Sequence, residues 1–102
     1  MDKLLLAALL CAVAGVASSS APTVTLRNGV KLPLIAAGVY QYNESTAEAS
    51  VGAALKVGFR LLDNALDYHN QYGVGRAIAA SGVPRDQIFV ETKVRKPLAS
   101  SQ

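Results

Sequence analysis

From its first residues the chain alternates between apolar and polar blocks in a readable order. Leu4 to Ala17 is apolar at every position except Gly15, with only Asp2 and Lys3 as polar residues before it. Val24 to Leu32 alternates around Asn28-Gly29, which predicts a hairpin with a two-residue turn, both central residues at positive φ. Pro33 is expected to break that pairing. Leu34 to Tyr40 is an apolar run of strand length, the pattern of a strand buried on both faces. Ser45 and Glu48 have capping-box spacing, so a helix is expected to start at Ser45. Ala47, Val51, Ala54 and Leu55 follow at helical intervals and Gly58 is a natural stop. Phe59 to Leu62 predicts the next strand, ending in Asp63. After a polar loop, Val74, Ala77 and Ile78 share a helical face closed by Gly82. Pro84 to Gln87 reads as a turn, and Ile88 to Thr92 as a strand ending in Lys93. Strands alternating with helices of this length imply right-handed crossovers and a parallel sheet, an α/β fold.

Composition changes the picture at the N-terminus. The chain has 102 residues, 51% hydrophobic and 17% charged, with net charge +3 and one cysteine. A short charged start, an apolar centre and Ser18-Ser19-Ser20-Ala21 have the order of a secretory signal. We therefore expect a signal over residues 1–21, cut near 17–18, a domain over 22–96 and a tail over 97–102. The apolar run is too short for a stable membrane span, which takes about 20 residues. The expected location is secreted or within the secretory pathway, and cytoplasmic should the signal not operate. Cleavage would leave about 84 of the 102 residues, small for a hydrophobic core, and would remove Cys11. Disulfide scaffolds and cysteine-based zinc sites are thereby excluded, and no metal site is expected. Leu10 is too bulky for Cys11 to be a lipid-attachment site. The ten basic residues are scattered, without the clustered face that nucleic-acid binding requires.

Candidate chemistry gathers at the strand ends. Asp63 ends one strand, Lys93 ends the next, and Tyr68 lies in the loop after Asp63. Parallel neighbours lie about 4.8 Å apart, and α/β folds bind ligands at the carboxyl ends of their strands. A lysine ammonium beside a phenol stabilises the phenolate, which suits the tyrosine to proton donation. The pattern alone favours a plainer reading, an Asp63–Lys93 ion pair near an unrelated tyrosine. Gly73-Val74-Gly75 lacks the third glycine of a phosphate loop and does not follow a strand end, so helix-entry packing is the better reading. Asn43-Glu44-Ser45 fits the acceptor pattern for N-glycosylation, meaningful only if the signal operates.

The stretch Leu61-Leu62-Asp63-Asn64-Ala65, Tyr68, Asn70-Gln71, Val74-Gly75 and Ala77-Ile78 resembles the signature of the aldo-keto reductase family. Leu26 to Pro33 resembles that family's opening hairpin, Gly38 to Gln41 the end of its first barrel strand, and Ser81 to Lys93 the run to its catalytic lysine. The matches are collinear from Val24 to Lys93. The resemblance implies the N-terminal part of a (β/α)8 TIM barrel, with an N-terminal β-hairpin, that reduces aldehydes or ketones with NADPH. It implies Tyr68 as general acid, Lys93 as the group tuning it, and Asp63 as the residue holding Lys93. Gly38, Val39, Tyr40 and Asp63 would border the cofactor, and the partner would be a small-molecule carbonyl compound. Asn64 and Gln71 depart from the usual threonine or serine and glutamate. His69 occupies a position the family leaves variable, and no direct role is expected for it. The family's catalytic histidine and main cofactor-phosphate site are expected beyond Gln102, so the chain alone is expected to be inactive. The alternatives are a non-catalytic fragment or a cofactor-sensing binding module of the same fold.

Overall fold

The computed structural model describes residues 21–95. The signal-like stretch, Cys11 and the tail lie outside them. Among the described residues the order is β1 (Thr23–Thr25), β2 (Lys31–Pro33), β3 (Ala36–Gly38), α1 (Glu44–Val57), β4 (Leu61–Asp63), α2 (Gln71–Ala80) and β5 (Phe89–Glu91). Single 3₁₀ turns at Leu66–Tyr68 and Arg85–Gln87 precede α2 and β5.

β1 and β2 form the expected hairpin, but its turn differs. Gly29 alone takes a positive φ, 84°. Its N–H donates to the Leu26 carbonyl at 2.9 Å, and the Leu26 N–H donates to Val30 O at 2.7 Å. That is a three-residue loop, a tight turn followed by a left-handed glycine. Asn28 Oδ1 accepts from the Val30 N–H at 3.1 Å, so its side chain, not a left-handed backbone, serves the loop. Pro33 does not break the pairing either. It lies opposite Thr23, and the bonding runs one residue further, Leu34 N–H to Pro22 O at 2.9 Å. Proline is tolerated at a strand terminus because no ladder donor is lost there.

β3, β4 and β5 form a parallel sheet in that order, with Gly38, Asp63 and Glu91 in one row. Alternation sends Ala37, Val39, Leu62, Ile88 and Val90 to the face under the helices, where Val39, Leu62 and Ile88 are buried with Ala47, Val51, Leu55, Val74 and Ala77. The apolar run of β3 is not buried on both faces as expected. Leu34 and Ile35 are exposed and precede the strand, which begins only at Ala36. Two sheet residues on the face away from the helices, Leu61 and Phe89, are buried or half-buried.

α1 begins at Glu44, one residue before the predicted start. Asn43 is the N-cap, its Oδ1 accepting from the Thr46 N–H at 2.8 Å. Gly58 ends the helix at φ 110°, and the Gly58 and Phe59 N–H groups close on the Leu55 and Ala54 carbonyls, the bonding that left-handed glycine caps provide. α1 and α2 approach each other closely at Gly73. A Cβ there would run into the Glu44 backbone carbonyl, while the Gly73 N–H donates to the Glu44 carboxylate. The glycine-rich entry of α2 is therefore a packing site whose free N–H is already taken. Arg76 extends the seam, reaching Glu48 at 2.8 Å and Glu44 at 3.9 Å.

This geometry gives two glycines in one helix opposite behaviour. Alanine normally favours a helix interior by about 1 kcal/mol over glycine. Gly75→Ala, with nothing within 4 Å of the added methyl, is expected to raise stability by about 0.5–1 kcal/mol. Gly73→Ala must push the helices apart and is expected to lower it by about 1–3 kcal/mol. Urea midpoints that move in the same direction for both variants would contradict the close approach.

Candidate functional site

The parallel ladder continues past the strand ends. The Asn64 N–H donates to Glu91 O at 2.9 Å and the Leu66 N–H to Lys93 O at 3.0 Å. This carries Lys93 alongside the loop that leaves β4. Tyr40, Asp63 and Lys93 all follow the alternation of the uncovered sheet face, so their side chains meet at its carboxyl end. Lys93 Nζ pairs with Asp63 Oδ1, donates to the Asn64 carbonyl at 3.2 Å and donates to Tyr68 Oη at 3.3 Å. Its nitrogen also lies 5.2 Å from the centre of the Tyr68 ring. The Tyr40 ring lies against Tyr68 with centroids 5.2 Å apart, tilted by 54°, a favourable geometry for two aromatic quadrupoles.

Tyr68 reaches this cluster because the loop after β4 turns tightly. Residues Leu66–Tyr68 form a 3₁₀ turn, and His69 ends it in the left-handed region at φ 55°. His69 is exposed, and its contribution is to the backbone reversal. Gln71 Nε2 donates to the Ala65 and Leu66 carbonyls at 3.3 and 2.9 Å. A glutamate carboxylate could not donate there, so the amide at this position gives the loop a brace of its own. Asn64 Oδ1 accepts from the Ala65 N–H at 2.7 Å. Arg95 grips Asp67 with its Nε 2.6 and 2.8 Å from the two carboxylate oxygens.

Of the expected cofactor-facing residues, Gly38 is exposed and open, with nothing within 4 Å of where a Cβ would stand. Tyr40 is 65% exposed and Asp63 is half-buried. Val39 departs from expectation. Its side chain is 2% exposed and packed in the helix-side core, because the alternation that brings Gly38 and Tyr40 to the open face turns Val39 away from it. Its carbonyl is also occupied, accepting from Asn70 Nδ2 at 2.9 Å.

Asn70 stands in the family-like stretch, but its role is one that sequence reasoning did not assign. It is fully buried, and the same Nδ2 donates to the Tyr42 carbonyl at 3.0 Å. One amide thus holds the main chain on both sides of Tyr40, while sitting two residues after Tyr68. Its signals in the sequence are its place in the family-like stretch, which assigns it no role, and an asparagine just before a helix, which ordinarily suggests a cap. The cap is absent: the Asn70 side chain makes no bond to α2.

The electrostatics centre on Lys93. The Asp63 hydrogen bond raises its pKa above the ordinary lysine value of 10.5, partial desolvation opposes this, and the Tyr68 hydrogen bond adds to the rise. A lysine raised in the folded state contributes stability that is fully present below the ordinary value and lost as pH climbs through the folded one. The difference in urea midpoint between the protein and its Lys93→Met variant is therefore expected to hold steady between about pH 7 and 9 and to close above 10.5. Both partners are more than a third exposed, so the difference is small. A difference that closes below pH 9 would show that Lys93 is not held charged by this pair.

Among the described residues no group of three or more histidine, cysteine, aspartate or glutamate side chains is placed to hold a metal. No helix among them is long and apolar enough to cross a membrane.

The profile of the Aldo/keto reductase family matches residues 34–102. An aldo-keto reductase of Mycolicibacterium smegmatis is 51% identical over 80 residues, covering 78% of this chain and 28% of that protein. One from Mycobacterium avium is 49% identical over 77 residues, covering 76% of this chain and 27% of that protein. The chain thus spans little more than a quarter of the length of the curated relatives it matches. In the crystal structure of an aldo/keto reductase from Brucella melitensis, 29% of that chain superposes on 74% of this one with a TM-score of 0.70 and 42% identity. The Bombyx mori aldo-keto reductase, solved in complex with NADP, gives 0.64 and 30% identity over 76% of this chain and 28% of that chain.

Proposed function

Because this chain belongs to the aldo/keto reductase family, and its sheet and helices are part of that family's barrel, we infer that the Asp63–Tyr68–Lys93 cluster delivers the proton in NADPH-dependent reduction of an aldehyde or ketone. The observation that carries this reading is the Lys93 ammonium, bonded to Asp63 on one side and 3.3 Å from Tyr68 Oη on the other.

The residues present suit a flat, extended cofactor. Gly38 offers bare backbone at the strand end, and the exposed Tyr40 ring stands beside it. The NADP complex of the Bombyx mori relative supports that choice of cofactor. Gly38, Tyr40 and Asp63 would border the nicotinamide, whereas Val39 would contribute backbone only. A bound reduced nicotinamide supplies the hydride.

Everything else falls to the chain's own side chains. The Tyr68 hydroxyl donates a hydrogen bond to the substrate carbonyl oxygen. As hydride adds to the carbonyl carbon, that oxygen becomes an alkoxide and takes the Tyr68 proton. The phenolate left on Tyr68 is met by an N–H of Lys93 already aimed at its oxygen, a donor fixed before charge develops. Asp63 is a positioning residue: it holds Lys93 charged and within reach. The Tyr40 ring limits how far Tyr68 can swing.

The test is a graft in which residues 22–95 replace the matching stretch of the Mycolicibacterium smegmatis relative. Loss of NADPH absorbance with a simple aldehyde is followed. Turnover within about tenfold of the parent is the expected result. A graft that unfolds cooperatively yet consumes no NADPH would remove this reading.

A further inference from the structure

The triplet Asn43-Glu44-Ser45 takes no part in the chemistry at the strand ends. It has the acceptor form for N-linked glycosylation, an asparagine two residues before a hydroxyl side chain with no proline between. Both Asn43 and Ser45 are exposed. Asn43 nevertheless has structural work as the cap of α1, and that work falls entirely on its oxygen. Oδ1 accepts from the Thr46 N–H at 2.8 Å and from the Ser45 hydroxyl at 3.0 Å. The two hydrogens of Nδ2 have no partner among the described residues. A sugar on Nδ2 replaces one of those hydrogens and leaves Oδ1 an acceptor, so α1 keeps its cap after modification. The position also lies on the loop that leaves β3 at the carboxyl end of the sheet, beyond Tyr40 and outside the Asp63–Tyr68–Lys93 cluster.

The chain begins with the pattern that carries proteins to the compartment where such transfer occurs: Asp2-Lys3, the apolar Leu4–Ala17 stretch and the serines after it. We propose that Asn43 is an N-glycosylation site, filled as the chain passes through the secretory pathway. Asn43 Nδ2 forms a bond to the anomeric carbon of a lipid-linked oligosaccharide pyrophosphate. The bond from that carbon to the pyrophosphate oxygen breaks, the lipid pyrophosphate leaves with the electron pair, and Nδ2 gives up one proton to a base. The inference is independent of the reductase reading, since it uses neither Tyr68 nor Lys93.

The experiment is cell-free translation of the full 102-residue chain with endoplasmic-reticulum microsomes. The expected product is protected from added protease and shows one mobility shift that endoglycosidase removes. The shift is expected to vanish in Asn43→Gln and in Ser45→Ala, the second of which keeps the cap asparagine, and to persist in Ser45→Thr. Release of the sugar by an amidase is expected to leave an aspartate mass at position 43. The proposal is overturned if the chain stays outside the microsomes, if it enters them without a shift, or if a shift survives Asn43→Gln.

Discussion

Replacing Tyr68 by phenylalanine is expected to lower the turnover of the graft protein by about 10²–10⁴-fold, the usual worth of a positioned general acid. That corresponds to roughly 3–5 kcal/mol of transition-state stabilisation. The change removes one oxygen. The ring keeps its place against Tyr40, 5.2 Å away, and its contact with the core beneath. A urea midpoint close to that of the parent is therefore expected alongside the loss of rate. The aldehyde KM should change far less than kcat, because what disappears is a proton that moves only as the alkoxide forms. Lys93→Met should lower kcat as well, by less, since the hydroxyl would remain while its charged partner is lost. If Tyr68→Phe retained kcat within tenfold of the parent, the proton would have to come from elsewhere and the assignment would fail.

The Asp63–Lys93 pair was legible in the sequence because a parallel sheet makes strand ends commensurate. Once Leu61–Asp63 and Phe89–Glu91 are taken as neighbours, the residues just past them share a rim, whatever the loops do. Tyr68 needed more. It lies five positions after Asp63, and only the 3₁₀ turn with a left-handed His69 at its end brings the ring back over the rim. Nothing in the local pattern specifies that turn, and the family resemblance supplied the role of Tyr68 without it. Where the sequence reading erred, the competing interactions were local and nearly equivalent. Asn43 and Ser45 can each cap a helix, and the choice depends on Glu44, whose carboxylate meets the Gly73 N–H of another helix. At the hairpin, Asn28 could serve by its backbone or by its side chain, and the side chain prevails. Leu34 and Ile35 precede the strand, and an apolar run does not encode where the strand begins. The role of Asn70 was hidden for a related reason. Its partners, Val39 and Tyr42, are 31 and 28 residues away in the chain, and an amide that serves distant carbonyls has no periodicity to betray it.

That same residue carries the second large effect. Asn70→Ala is expected to destabilise the protein by about 2–4 kcal/mol, because the buried Val39 carbonyl and the part-buried Tyr42 carbonyl lose their donor, at about 1–3 kcal/mol for a buried one, and the truncated side chain leaves a cavity. Val39 O and Tyr42 O face Asn70 from the loop that carries Tyr40, so the damage should centre there. Faster amide exchange over residues 39–43 would report it. An aspartate at 70 separates hydrogen bonding from volume. It fills the same space, yet it puts a second carboxyl oxygen where Nδ2 donated, facing two carbonyl oxygens. Asn70→Asp is expected to be at least as damaging as alanine at neutral pH and to recover partly in acid, where a protonated carboxyl can donate once. Among the described residues Oδ1 is buried without a partner, so the hydrogen bonds that either variant removes are those of the donor, and the aspartate isolates their cost from that of lost volume. Should Asn70→Asp match the parent in urea at pH 7, the clamp would not be carried by Nδ2, and the alignment of Tyr40 with Tyr68 would need another source.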